Sequence, residues 1–158
     1  MPQFPIIQKN PIMAKTEKWW SYPCEAENGQ TIITSGHDGL DKQRLSGKYI
    51  YRVDVSWDYP ALSDGMPDEE ASRLLEQVTD ALTATLAEDK VAVMTGIYTG
   101  AGRRDWIFYT KNLKIFSSTF NRALHELPVL PLQFEATEDP EWEEYMHLRE
   151  TTYIPDEE

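Results

Sequence analysis

The stretch TGIYTGAGRRDWIFYT, residues 95–110, holds three glycines, two arginines and four aromatics in sixteen positions. It is a phosphate-binding loop, a nucleic-acid patch or a turn between two strands, and the fold depends on which. A phosphate cradle sets its glycines between a strand and a helix start, where backbone N–H groups and the helix dipole face the anion. Here β-branched and aromatic residues lie on both sides of Gly100-Ala101-Gly102, in KVAVMTGIYTG and RRDWIFYT, so the glycines join two strands. Arg103 and Arg104 then stand at a hairpin end. They read as solvated edge charges, with an anion site or stacking on Trp106 as the alternative.

Upstream, YIYRVDVSW alternates Tyr49, Tyr51, Val53, Val55 and Trp57 with Ile50, Arg52, Asp54 and Ser56, the period of a half-buried strand. Asp68, Glu69 and Glu70 follow Pro67, which suits a first helical position. Ala71, Leu74, Leu75, Val78, Leu82 and Leu86 then recur at steps of three and four, which predicts a helix over 68–87. Downstream, Asn112 is an expected N-cap for a second helix carrying Leu113, Phe116, Phe120, Leu124 and Leu127, ended by Pro128. VLPLQFEA follows as an edge strand, or as a strand that leaves Pro131 unpaired. Pro140 is placed to start a short C-terminal helix with Trp142, Tyr145 and Leu148 at helical spacing. Before all of these, KWWSYPCE and QTIITS flank Asn28-Gly29, a pair suited to a tight type I′ hairpin turn. GHDGLDKQRLSG reads as a loop.

From Lys48 the order is strand, helix, strand, strand, helix, strand. That order predicts an α+β, ferredoxin-like split βαβ sandwich: an antiparallel sheet with two helices on one face, an N-terminal β-hairpin and a short C-terminal helix. The expected organisation is a loosely ordered leader over 1–16, one domain over 17–150 and an acidic tail over 151–158.

The 158 residues are 41% hydrophobic and 27% charged and are rich in aromatics, as expected of one folded domain. The net charge of −12 is concentrated: residues 138–158 carry nine acids against Arg149 alone. Such a chain lacks the basic footprint of a nucleic-acid binder and is easier to reconcile with a basic protein partner, or with a tail that only confers solubility. One cysteine, Cys24, and three scattered histidines make neither a disulfide nor a zinc set, and point to a reducing, cytoplasmic setting. The proline- and charge-broken opening does not read as a signal peptide, and no apolar run is long enough to span a bilayer, so no membrane association is expected.

Few residues fall into a pattern that carries chemistry. Asp54 and Asp58 share a strand face but lie roughly 13 Å apart, too far for a glycosidase-type pair. His37, His125 and His147 lack a correctly spaced orienting acid. Glu141 and Glu144 alone specify no metal. No catalytic residue, cofactor site or metal site is assigned.

The Trp-rich early hairpin, DGMPDEE opening a helix, TGIYTGAGRRDWIFYT as a strand pair and the closing DPEWEEY together resemble the bacterial domain-of-unknown-function family 695, over about residues 19–148. That family is similar in its core to the regulator of ribonuclease E activity B, an acidic ferredoxin-like protein that acts by binding an enzyme. The resemblance implies the fold and a regulatory binding role; it carries over no catalytic residues.

Two functions follow. In the first, an acidic surface meets a basic protein, with Glu141, Trp142, Glu143, Glu144 and Tyr145 at the contact, unless Trp142 and Tyr145 instead pack the last helix. In the second, a small-molecule or anion site, or an enzyme, uses Arg103 and Arg104 in the 98–109 hairpin with Tyr98, Trp106 and Tyr109. The sequence pattern sets no oligomeric state.

Overall fold

Val53, Val55 and Trp57 bury one face of residues 51–58, whereas 103–110 is buried on both faces from Trp106 onward. In the computed structural model, which describes residues 18–154, six strands form one open antiparallel sheet ordered β1-β2-β4-β5-β3-β6. The strands are β1 (Lys18–Glu25), β2 (Thr31–Asp38), β3 (Tyr51–Asp58), β4 (Ala92–Gly100), β5 (Arg103–Thr110) and β6 (Gln133–Glu138). Four helices accompany them: α1 (Asp41–Leu45), α2 (Glu69–Asp89), α3 (Leu113–Ala123) and α4 (Glu143–Thr152). The expected leader, and the last four residues of the expected tail, lie outside the described residues.

Helices α2 and α3 cover one sheet face. The stripe Ala71, Leu75, Val78, Leu82 and Leu86 is buried against Val53, Val55, Trp57, Trp106 and Phe108, with Phe116 and Phe120 from α3 closing the same core. Asp68 caps α2 by accepting from Ala71 N (2.8 Å), and Asn112 caps α3 by accepting from Ile115 N (2.9 Å). Pro67 lies before the Asp68 cap, bridged to Ala61, rather than at the first helical position. The segment over 36–47 is not all loop, since Asp41–Leu45 forms α1.

Helix α4 lies on the other face, and its seat is made by two glycines. Gly36 and Gly96 oppose each other across β2 and β4. A Cβ on Gly36 would sit 2.1 Å from the Trp20 ring, and one on Gly96 would sit 3.0 Å from Leu148 of α4. Trp20 Nε1 in turn donates to Thr152 Oγ1 at 2.7 Å. Helix α4 therefore includes Thr151 and Thr152, the first two residues of the stretch read as an acidic tail. Pro140 does not start α4; it lies in the turn between Asp139 and Trp142, and Asp139 caps the helix by accepting from Glu143 N (2.9 Å) and Glu144 N (3.2 Å).

The type I′ turn expected at Asn28-Gly29 occurs instead in the second hairpin. Ala101 and Gly102 both have positive φ (54° and 82°), the signature of type I′, and join β4 to β5. At Glu27-Asn28-Gly29 only Gly29 is left-handed, so that turn is a three-residue loop closed by Gly29 N donating to Ala26 O. Gly100 meets a different demand, since a Cβ there would sit 2.4 Å from Thr31 O.

Candidate functional site

Directly opposed residues cross the sheet in rows. One row on the α4 face runs Tyr98, Asp105, Ser56, Gln133; the next runs Gly96, Ile107, Asp54, Glu135. A bulge at Thr95 sets the first of these. It shifts the β4 register between Met94 and Gly96, so Met94 and Ile97 both face the α2 core and Tyr98 turns to the α4 side. Helix α4 covers the β2–β4 half of this face. Over β5, β3 and β6 it leaves a groove of ≈ 500 Å³, with Glu144 of α4 on one wall and β6 on the other.

The groove is lined by four carboxylates, Asp54, Asp105, Glu135 and Glu144, and one guanidinium, Arg103. Arg103 Nε lies 3.0 Å from Asp105 Oδ1. Beside the groove, Arg52 donates to Asp54 Oδ1 (3.1 Å) and lies 3.6 Å from Asp139 Oδ2. Tyr98 donates to Glu144 Oε2 at 2.5 Å, while Glu144 Oε1 is buried and accepts no bond. Tyr109, below, donates to Asp139 Oδ2 at 2.7 Å.

Burial holds the carboxyls of Asp54, Asp105 and Glu144 above their ordinary range. Arg52 pulls Asp54 and Glu144 down, and neighbouring acids push them up: Glu135 and Asp105 on Asp54, Asp54 and Asp139 on Glu144. Burial and the Glu144 carboxylate together raise the Tyr98 phenol far above its usual value, so Tyr98 remains a donor. Glu135 stands directly opposite Asp54, a like-charge pairing that strands normally avoid. Among the described residues, no three His, Cys, Asp or Glu side chains converge as a metal ion requires. The groove is wide enough for an organic cation or a peptide side chain.

The residues expected at a partner contact divide. Trp142 (1% exposed) and Tyr145 (2%) are buried: Trp142 stacks on Tyr109 with centroids 4.3 Å apart, and Tyr145 donates to His37 O. They pack the last helix. Glu141 and Glu143 are exposed, and Glu144 alone turns into the groove.

The alternative anion pocket does not assemble, because its two arginines alternate across the sheet. Arg103 faces the groove. Arg104 faces α2, donating to Thr99 Oγ1 (2.8 Å) and Thr79 Oγ1 (3.2 Å) and lying 5.7 Å over the Trp106 ring. Burial lowers its pKa to about 10. Tyr98 lines the groove and Trp106 donates to Thr79 on the far side, so the proposed pocket residues are split as well.

Asp105 and Glu135, both in the groove, were not singled out from the sequence, and Asp54 was weighed only against Asp58. The available signal was strand alternation, which sets Asp54 on the polar face of β3 and Asp105 on the same face as Arg103.

The chain is thus an α+β protein built on an open six-stranded antiparallel sheet, with an acidic groove on the face that its C-terminal helix half covers. It belongs to a family of unknown function, DUF695, whose family model matches residues 17–148. No curated protein matches the chain.

Proposed function

We propose that this protein is a non-enzymatic, cytoplasmic binding module, regulatory in role, whose acidic groove takes the basic side chains of a protein partner. The core strands and helices β3-α2-β4-β5-α3-β6, in the spatial order β4-β5-β3-β6, fit a ferredoxin-like split βαβ plan carrying an added hairpin and a C-terminal helix. One observation carries the functional reading. Four carboxylates line a partly desolvated groove that holds Arg103, with Arg52 beside it on Asp54, and three of the four are held above their ordinary range by burial. Clustered like charge of this kind destabilises a fold, and a cationic partner relieves it. Phosphate backbones are repelled by the same field, so nucleic acid is not the ligand.

The test is capture of partners on the immobilised protein at low and high salt, compared with an Asp54→Asn/Glu135→Gln variant. A basic protein that is retained by the wild type, released by salt and absent from the variant supports the reading. A retained small anion, or a protein bound equally by both forms, refutes it.

A further inference from the structure

The groove is bounded on its outer side by a strand with an open edge. All six residues of β6 are exposed, and among the described residues no strand pairs with its outer side. The direction of its unused backbone groups follows from one bond. Asp139 N donates to Ile50 O at 2.8 Å, and Ile50 opposes Asp139 one step beyond the Tyr51–Glu138 pair. Bonded and non-bonded positions alternate along an antiparallel ladder, so Gln133, Glu135 and Thr137 turn their backbone groups toward β3. Phe134, Ala136 and Glu138 turn theirs outward.

We infer that the partner segment is an extended peptide that pairs with this edge as a seventh strand, and that its alternate residues are basic. This inference rests on the groove being a site for a basic protein. Side chains of an added strand alternate between the two faces. Those on the Glu135 side enter the row that already holds Asp54 and Glu135, where lysine or arginine is complementary. Those on the other side meet Phe134, 54% exposed and packed edge-on to Phe120 with centroids 5.0 Å apart, where apolar residues fit. Main-chain bonds would supply affinity and the two alternating surfaces specificity. A second copy is disfavoured as the occupant, because its own β6 carries Glu135 and Glu138 and no lysine or arginine to meet the acidic row.

The experiment uses the full chain and three nonapeptides, read by fluorescence anisotropy: one alternating lysine and valine, one with glutamate in place of lysine, and one scrambled lysine–valine peptide of the same composition. Ala136→Pro removes an outward N–H without touching the ladder to β3. The alternating basic peptide is expected to bind, with affinity reduced at least tenfold by scrambling, by Ala136→Pro and by Asp54→Asn/Glu135→Gln, and abolished by glutamate. In the wild type, its binding should slow hydrogen exchange at the Ala136 and Glu138 amides, a readout that does not depend on the proline variant folding. Equal binding of the alternating and scrambled peptides, with those amides unprotected, would overturn strand addition while leaving the basic-partner reading intact. No binding of either lysine peptide would overturn both.

Discussion

Asp54 on β3 and Glu135 on β6 stand directly opposite one another, two carboxylates in one cross-strand pair at the floor of the groove. Directly opposed like charges cost stability, so their presence is better explained by what binds there than by what holds the fold. Glu135→Gln should therefore stabilise the protein by about 0.2–1 kcal/mol at neutral pH while weakening its hold on basic ligands. Burial raises the folded-state pKa of Asp54 above its ordinary 3.8, so its ionisation destabilises the fold increasingly as pH rises from 3.8 through the raised value. The advantage of the variant should be full above that window and absent below it. Urea unfolding of both proteins across pH 3–8 checks the sign.

Gly36→Ala should destabilise by about 1–3 kcal/mol, the cost of overpacking, because the new methyl would displace the Trp20 ring. That ring is held in place by its bond to Thr152 and by edge contact with Tyr153, so the loss should loosen α4 as well. Denaturant unfolding gives the size of the loss, and hydrogen exchange along α4 gives its location.

Arg103 and Arg104 are neighbours in sequence with opposite fates. Arg104→Ala removes the donor to Thr79 and Thr99 and the cation over Trp106, and should cost about 1–3 kcal/mol. Arg103→Ala should change stability by no more than about 0.5 kcal/mol. It should also tighten binding of a basic peptide, since it leaves Asp105 without its Arg103 partner. Thermal unfolding and peptide anisotropy together separate the two.

Asp139→Ala removes the cap of α4 and leaves the buried Tyr109 hydroxyl without its acceptor, for an expected loss of about 2–4 kcal/mol. Asp139→Asn retains an acceptor and should lose less. Equilibrium unfolding of the two variants measures the difference.

Most of the elements were legible because their patterns are local. Period two in residues 51–58, the stripe from Ala71 to Leu86, and the cap at Asn112 each depend on a few neighbouring residues. Three features were not. The Thr95 bulge has no residue signature, since Met94 and Ile97 satisfy either register, and it alone decides that Tyr98 faces the groove. Trp142 takes a left-handed conformation (φ 57°) that a bulky side chain rarely adopts, which moved the start of α4 past Pro140. The groove itself draws Asp54, Asp105, Glu135 and Glu144 from three strands and a helix, and alternation places each on a face without telling which strands adjoin. The strand order β5-β3-β6 supplies that, and it rests on contacts between residues far apart in the chain.

The central claim, that the groove rather than the exposed acids around the start of α4 receives a basic partner, is tested most directly by titrating the isotope-labelled protein with the alternating lysine–valine peptide and following backbone amide shifts. Shifts concentrated at Asp54, Tyr98, Ile107 and residues 133–138, weakening as salt is added, are expected. Shifts confined to Glu141, Glu143 and their exposed neighbours, with the groove amides unmoved, would contradict the account.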